Sequence, residues 1–151
     1  MLQQLHPQYI TGFVDGEGSF HVAIYKDQRM KAGIKIIPEF HISQRVSSKY
    51  VLDEIQKFFG CGYVKENHAT NKRDTTYVYV VRNRKDLLEI IIPFFEKHSL
   101  KTEKKNDFEL FAKVVRSMND GLHSTEVGAK KILSLAYQMN QGGKYRRKKH
   151  I

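Results

Sequence analysis

The sequence predicts an α+β fold in which helices and two β-hairpins alternate in the order α-ββ-α-ββ-α. Two pairs of segments alternate apolar and polar residues with a period of two, as half-buried strands do. Segments with helical spacing of apolar residues precede and follow each pair, and the second half of this unit repeats the order of the first. We therefore expect a curved four-stranded antiparallel sheet with helices on one face, plus two C-terminal helices.

The first predicted helix begins at Pro7, because proline suits the first turn of a helix, and ends near Gly16. Gly12 lies inside this helix, where it costs about 1 kcal/mol relative to alanine, so it marks a place where another backbone comes very close. The apolar residues of this helix recur at helical spacing; they are Leu5, Tyr9, Ile10, Phe13 and Val14.

The end of this helix is unusually acidic. Asp15 and Glu17 lie at the negative end of the helix dipole, a position that favours lysine or arginine. A divalent cation would resolve this conflict, since hard cations prefer oxygen ligands. The Glu17 carboxylate and the main-chain carbonyl of Gly16 are the candidate metal ligands.

The first hairpin is predicted from residues 19–25 and 34–42, joined by a polar, basic loop. A helix over residues 50–59 follows, which Ser47 or Ser48 can cap and Gly60 ends. Residues 63–67 and 75–81 predict the second hairpin, and Asn83 begins the next helix. Two further helices are predicted at about residues 106–118 and 125–139, and their apolar residues are assigned to packing.

One face of the predicted sheet is left without helices and carries polar and aromatic side chains. Such side chains can hydrogen-bond base edges in a DNA groove, while lysine and arginine in the two hairpin loops engage phosphates. The candidate DNA contacts on the face are His21, Tyr25, Lys35, His41, Lys65, Asn67, Thr75, Tyr77 and Tyr79. The candidate contacts in the loops are Lys26, Arg29, Lys31, Lys72 and Arg73.

The composition favours one basic domain. The chain has 151 residues, of which 40% are hydrophobic, and a formal net charge of +10. We expect a single domain over residues 1–143 and a basic, disordered tail over residues 144–151. The charge implies attraction to a polyanion, most simply nucleic acid, although an anionic membrane surface would be served by the same charge.

The sequence also limits the location and the chemistry. Cys61 is the one cysteine, so no intrachain disulfide can form. Without a secretory signal or an apolar run of about 18 residues, we expect an intracellular protein of a bacterial cytoplasm, a chloroplast or a mitochondrion, with no membrane partner. His21, His41 and His68 lack metal-ligand spacing, so zinc is not expected. No phosphate-binding glycine loop and no Ser or Cys nucleophile signature is found.

Residues 10–18, with the sequence ITGFVDGEG, resemble the motif of the LAGLIDADG homing endonucleases across its whole length. Thr11 departs from the usual alanine of the motif but keeps a small side chain. The order of elements also fits that family. Because one motif is present, the resemblance implies a homodimer in which the motif helices cross at Gly12 and Gly16, with Ile10 and Phe13 in the interface. Two-fold symmetry then implies a long, near-palindromic target.

The resemblance also implies an activity and its metal. It implies a site-specific endonuclease that cuts both DNA strands by Mg²⁺-dependent phosphodiester hydrolysis and promotes intron mobility. Glu17 matches the metal-binding acid of the family, Gly16 matches the carbonyl ligand, and two or three Mg²⁺ ions serve the pair of active sites.

Two further catalytic residues and one gap follow from the same resemblance. Gln44 lies where the family places a polar residue that orients water. Lys101 resembles the lysine that faces the scissile phosphate, with Lys104 as the alternative. The arginine of some relatives has no match at Ser48; Arg45 or Lys49 is a candidate substitute.

Two other functions use the same fold. The first is an RNA maturase that assists splicing of the intron RNA without cutting DNA. The second is a DNA-binding protein without catalysis, which a neutral residue at position 17 would have favoured; Glu17 is intact.

Overall fold

The computed structural model describes residues 4–67 and 75–140. The six helices of this part of the chain are α1 (Pro7–Glu17), α2 (Lys49–Phe59), α3 (Arg84–Asp86), α4 (Ile92–Lys97), α5 (Lys104–Asn119) and α6 (Glu126–Tyr137). The four strands are β1 (Gly18–Lys26), β2 (Ile34–Arg45), β3 (Tyr63–Asn67) and β4 (Thr76–Val81). The predicted α+β class and the predicted order of helices and hairpins are confirmed.

Most boundaries match the prediction, and two local features differ. Ser48 precedes α2 as predicted, but its side chain makes no capping hydrogen bond, because a 3₁₀ turn over Val46–Ser48 leads into the helix. The helix predicted from Asn83 is interrupted by a π-helical turn over Leu87–Ile91. Pro93 follows this turn and has no N–H to donate to the preceding turn, which explains why the hydrogen-bond pattern changes here.

The strands form one sheet in the order β1-β2-β4-β3, with β4 antiparallel to both of its neighbours. Paired residues share a face of a sheet, and successive residues alternate between faces. Phe40, Ile42 and Tyr79 therefore lie on one face, and all three are fully buried. We call the opposite face of these strands the outer face; its residues are His41, Ser43, Arg45, Tyr63, Lys65, Asn67, Thr76, Val78 and Val80.

Contacts divide the described chain into two compact units, the first made of residues 4–19, 40–67 and 75–102. Its core is aromatic. The ring of Phe40 packs edge-on against Phe59 and Phe95, with centroid distances of 6.4 and 5.6 Å. Because Phe59 belongs to α2 and Phe95 to α4, these contacts place both helices against the face opposite to the outer face, as the one-sided arrangement predicts.

Tyr79 belongs to this core, so its predicted place on the open face of the sheet is wrong. Its ring stacks on Phe59 at 6.4 Å, and its hydroxyl donates a hydrogen bond to the Cys61 carbonyl at 2.8 Å. Gly62 makes room for the ring, since a Cβ there would lie 2.8 Å from the Tyr79 ring and 2.5 Å from the Val80 carbonyl oxygen. Burial raises the pKa of the Tyr79 hydroxyl above its usual range.

The same register determines on which face of the sheet the other side chains of β4 lie. Tyr77 pairs with Gln44 and lies on the face of Tyr79, and Thr75 precedes the strand in the same alternation. The predicted placement of these two residues on the open face is therefore also wrong. Thr76, Val78 and Val80 point to the outer face instead. The prediction failed because tyrosine and valine are both common on either face of a half-buried strand, so alternation alone does not set the phase.

The second unit contains residues 20–39 and 103–140 of the described chain. Phe20 from β1 contacts Phe108 and Phe111 of α5, with centroid distances of 5.3 Å in both pairs. Thr125 caps α6 by accepting the Gly128 N–H at 3.0 Å. The predicted tail over residues 144–151 lies outside the described residues. None of the described helices combines the length and the hydrophobicity that a membrane span requires.

Candidate active site and nucleic-acid interface

The acidic end of α1 presents Glu17 to solvent. Glu17 is the last residue of the helix and is exposed, as is Gly16 before it. The Glu17 carboxylate has no hydrogen-bond or ion-pair partner among the residues that the structure describes. The Val14 carbonyl accepts the N–H of Gly18, and the later main-chain carbonyls of the last helical turn have no partners within the helix. Carboxylate and carbonyl oxygens thus lie together at one helix end, as the prediction of a metal site requires.

Asp15 has a different role from the one its position suggests. One oxygen of its carboxylate, Oδ2, accepts the Lys101 N–H at 2.9 Å. The other, Oδ1, accepts the Thr102 N–H at 3.1 Å and the Thr102 hydroxyl at 2.8 Å. These bonds already compensate one of the two negative charges at the end of α1. Of the two acids at this helix end, only Glu17 is left without such a partner in the described ranges.

The same hydrogen bonds fix Lys101 beside α1. The Lys101 side chain is exposed, and its ammonium has no partner in the described ranges. Lys104, the alternative lysine, lies at the first position of α5 and already interacts with another residue. A groove of about 400 Å³ runs along α1 here; its lining residues are Gln8, Thr11, Gly12, Asp15, Lys97, His98, Ser99 and Lys101.

Gln44 lies near the end of β2 and is half-buried. Its strand partner Tyr77 has the Lys49 ammonium 5.4 Å from the centre of its ring, and that ammonium is also paired with Asp53 at 2.9 Å. Gln44 makes no hydrogen bond to Glu17 or Lys101 within residues 4–67 and 75–140.

The two candidate substitutes for the missing arginine are placed differently. Lys49 is already paired with Asp53, as described above. Arg45 is exposed on the outer face beside Thr76. Arg45 is in no ion pair with a described residue, whereas Lys49 is, and Ser48 carries no charge.

The solvent-facing side of α1 is apolar and free of side-chain bulk at two positions. A Cβ added to Gly12 or Gly16 would meet no atom within 4 Å. Tyr9 is 47% exposed and stacks on Phe13 at 5.9 Å. Ile10, by contrast, is fully buried inside the first unit, so its predicted place in a dimer interface is wrong. The exposed stripe of α1 consists of Tyr9, Gly12, Phe13 and Gly16.

The predicted contacts on the sheet separate into two groups. His41, Lys65 and Asn67 lie on the outer face as predicted, whereas Thr75, Tyr77 and Tyr79 do not. In the second unit, Tyr25 is 54% exposed and Lys35 is exposed, while His21 is half-buried.

The predicted loop contacts are only partly described. Lys26 and Lys31 are exposed and have no side-chain partner in the described part of the chain. Arg29 is exposed, but its guanidinium is paired with Asp27. Lys72 and Arg73 lie outside the described residues, as does His68.

Three functional candidates were missed by the sequence reasoning. Asp15 is predicted only as an acid at a helix end. Its partners lie 86 and 87 positions further along the chain, and no local sequence pattern indicates them. Thr76 is absent from the predicted contacts, although the register places it on the outer face. Asp27 belongs to the predicted polar loop, and its tendency to accept the backbone N–H two residues further on could have indicated the turn.

A metal site formed from this chain alone would need more acids or imidazoles than the structure brings together. In the described ranges, no group of three or more His, Cys, Asp or Glu side chains could hold a metal ion. Within those ranges, Glu17 alone is therefore not a complete set of metal ligands.

The exposed acid after α1, the glycine stripe on that helix and the four-stranded sheet together define an endonuclease class. A family model described as LAGLIDADG endonuclease matches residues 10–115. The chain belongs to this family.

Three known proteins show how closely this chain resembles the family. I-TnaI, a homing endonuclease of known structure, is 41% identical with a TM-score of 0.86, over 95% of this chain and 94% of its own. I-SmaMI, solved with an uncleaved DNA target in the presence of calcium ions, is 35% identical with a TM-score of 0.85, over 91% of this chain and 46% of its own. A probable intron-encoded endonuclease from Neurospora crassa is 37% identical over 139 residues.

The lengths of these proteins differ. The match to the Neurospora protein covers 91% of this chain but 30% of the relative. The chain therefore spans about a third of the length of that relative and almost the whole length of I-TnaI.

Proposed function

We propose that this chain is a sequence-specific DNA endonuclease that cuts both strands of its target and promotes the mobility of an intron. The observation that carries the proposal is the exposed Glu17 carboxylate, which lacks a partner in the described part of the chain, at the end of a helix with an open glycine stripe. Two comparisons support the proposal: I-SmaMI was solved with its DNA target, and the Neurospora relative is named as intron-encoded.

The working enzyme is a homodimer in which α1 of one copy crosses α1 of the other at Gly12 and Gly16. Each glycine costs about 1 kcal/mol in a helix relative to alanine. No contact within the chain requires glycine at these two positions, because a Cβ at either position would meet no atom within 4 Å. A second helix approaching from outside gives both glycines a role, and the exposed Tyr9 and the half-buried Phe13 supply apolar surface around them.

The metal is Mg²⁺, held by Glu17 of each copy and by main-chain oxygen at the end of α1. The donor chemistry fits, since carboxylate and carbonyl oxygens suit a hard cation and DNA phosphates complete the coordination. When bound, Mg²⁺ supplies Lewis-acid stabilisation of charge on the attacking and leaving oxygens. Two or three ions per dimer would serve both strands.

The side chains of this chain have separate roles around the scissile phosphate. Glu17 provides the anionic ligand. Lys101 places a positive charge where the phosphate gains negative charge in the transition state, and Asp15 holds the backbone of Lys101 in place for this. Gln44 orients the attacking water. No covalent intermediate is needed.

The DNA lies against the outer face of the sheet. His41, Lys65, Asn67 and Thr76 present polar groups there, and these can hydrogen-bond base edges in the major groove. Lys26 and Lys31 of the first hairpin loop engage phosphates. With two copies related by a dyad, the target is nearly palindromic. The compartment is one whose genome carries the intron, namely a bacterial cytoplasm, a chloroplast or a mitochondrion.

The test uses DNA selected by the protein itself. Wild type is incubated with a randomised duplex library in Ca²⁺, bound sequences are recovered, and the consensus is cloned into a plasmid. In Mg²⁺ we expect the wild type to linearise this plasmid. We expect Glu17→Gln to bind the same consensus but to cut it at least 100-fold more slowly, because a neutral amide is a poor ligand for Mg²⁺. Glu109→Gln, on the exposed side of α5, is the matched control and should cut normally.

Two results would contradict the proposal. Equal cleavage by Glu17→Gln would remove Glu17 from the active site. Selective binding without cleavage by wild type, together with faster splicing of the intron RNA, would identify a maturase instead.

A further inference from the structure

The turn between β1 and β2 is built around an ion pair. Oδ1 of Asp27 accepts the backbone N–H of Arg29 at 3.0 Å and its Nε–H at 2.9 Å. Oδ2 accepts Nη2 of the same arginine at 2.9 Å. The Asp27 N–H donates to the Gly33 carbonyl at 3.0 Å, and Gly33, with φ +75°, closes the turn. The carboxylate therefore fixes both the turn and one edge of the guanidinium.

The other edge of this guanidinium is available for a ligand. The Arg29 side chain is 83% exposed, whereas that of Asp27 is only 11% exposed. A guanidinium has five N–H donors in a rigid plane, and Asp27 takes the Nε–Nη2 edge. The remaining edge presents two parallel donors from Nη1 and Nη2. O6 and N7 of guanine form the matching pair of acceptors in the major groove.

We propose that Arg29, oriented by Asp27, reads one guanine in the major groove of the DNA target. This inference rests on the proposed function, since it needs the first hairpin loop to contact DNA. It goes beyond that function by assigning one base and one pair of residues that discriminate it.

Stability alone does not explain the pair. An ion pair whose arginine is exposed to solvent contributes little to folding, because water screens the two charges. A carboxylate also reduces the attraction of the loop for phosphates, so it is a disadvantage for non-specific binding. Its benefit is preorganisation: the arginine side chain loses its rotamer freedom before binding, so less is lost when the base is bound.

The charge distribution in the loop agrees with this division of roles. Lys26 and Lys31 flank the pair and have no side-chain partner within the described residues, so they suit phosphates. The hydrogen bonds from Arg29 lower the pKa of the Asp27 carboxyl to about 2. The pair is therefore fully charged at every pH at which the protein would bind DNA.

The experiment is a binding selection from a randomised duplex library with the full chain in Ca²⁺. Wild type should enrich guanine at one position of the half-site. Arg29→Met removes every donor of the side chain, so the guanine preference should fall about tenfold or more at that position alone; methionine is chosen because a lysine could still contact O6 and N7 of guanine. Asp27→Asn should weaken the preference without weakening total affinity. Lys31→Gln is the control and should lower affinity for all sequences while keeping the guanine preference.

A second measurement tests the contact from the side of the DNA. Replacing the selected guanine by 7-deazaguanine removes the N7 acceptor and should weaken binding by wild type but not by Arg29→Met. Equal weakening of both proteins would overturn the inference, as would a guanine preference that survives Arg29→Met.

Other outcomes separate this inference from the proposed function. A clear consensus without an Arg29-dependent guanine would overturn the inference and leave the endonuclease proposal standing. Absence of any consensus would overturn both.

Discussion

The carboxylate of Asp15 accepts the backbone N–H of Lys101 at 2.9 Å, although the two residues are 86 positions apart in the chain. This bond ties the end of α1, where Glu17 lies, to the segment that carries the candidate active-site lysine. In the proposed mechanism Asp15 is thus a positioning residue, since it would act through the backbone of Lys101.

Replacing Asp15 should impair catalysis more than binding. In Asp15→Asn, an amide NH₂ faces backbone N–H groups, so the hydrogen bonds to Lys101 and Thr102 weaken. We expect the free energy of unfolding to fall by about 1–3 kcal/mol and single-turnover cleavage to slow by about 10–100-fold. Affinity for DNA in Ca²⁺ should change little.

A double-mutant cycle separates positioning from a general loss of structure. If Asp15 acts through Lys101, then Asp15→Asn and Lys101→Met together should cost less than the product of their single effects on the cleavage rate. Independent, multiplicative effects would show that Asp15 has no special relation to Lys101.

Blocking the glycine stripe should separate the two subunits. In Gly12→Leu the new Cβ meets no atom of its own chain within 4 Å, so the monomer should fold with normal circular dichroism. We expect sedimentation to show a monomer and cleavage to be lost, because the helices can no longer approach. Lys113→Leu, on the exposed side of α5, should remain dimeric and active. A Gly12→Leu dimer would place the interface elsewhere.

Removing the hydroxyl group from each of two tyrosines of β4 should lower the free energy of unfolding by different amounts. Tyr79→Phe leaves the buried Cys61 carbonyl without its hydrogen bond, so the free energy of unfolding should fall by about 1–3 kcal/mol in urea denaturation. Tyr77→Phe is the matched change at a half-buried ring and should cost less than about 0.5 kcal/mol. Neither variant should alter the preferred DNA sequence, because both side chains lie opposite to the outer face.

The ion pair in the first hairpin loop should be visible in an acid titration. The folded-state pKa of Asp27 is lowered from 3.8 to about 2, chiefly by the side-chain hydrogen bond from Arg29. A lowered pKa stabilises the folded state above about pH 3.8, and this contribution is lost as the pH falls through about 2. The carboxyl ¹³C chemical shift of Asp27 should show an ionised carboxylate at pH 3 in wild type. In Arg29→Ala the midpoint of this titration should move to a higher pH. An unchanged midpoint would show that the ion pair does not form in solution.

The order of elements could be predicted from the sequence because each signal is local. Pro7 and Gly60 mark helix ends by their own backbone preferences, and the alternation along β2 sets which of its side chains are buried. Glu17 was found because its motif is contiguous. These features need no knowledge of which distant segments meet.

The features that were missed depend on distant partners. The phase of β4 is set by Phe59, Cys61 and Gly62, which together receive the Tyr79 side chain. The role of Asp15 depends on a segment more than 80 positions away. Ile10 fits the helical apolar pattern equally well on an interface or in a core, and only packing within the first unit places it in the core.

The register of β4 also leaves Val78 and Val80 on the outer face, where they are only 6% and 2% exposed. Valine offers no donor or acceptor, and side chains this buried cannot reach a base, so under the proposed function this part of β4 would not discriminate between base pairs directly. Substitutions in the DNA opposite it would then cost little binding. A genetic element that must find its insertion point in diverging hosts would benefit from that tolerance.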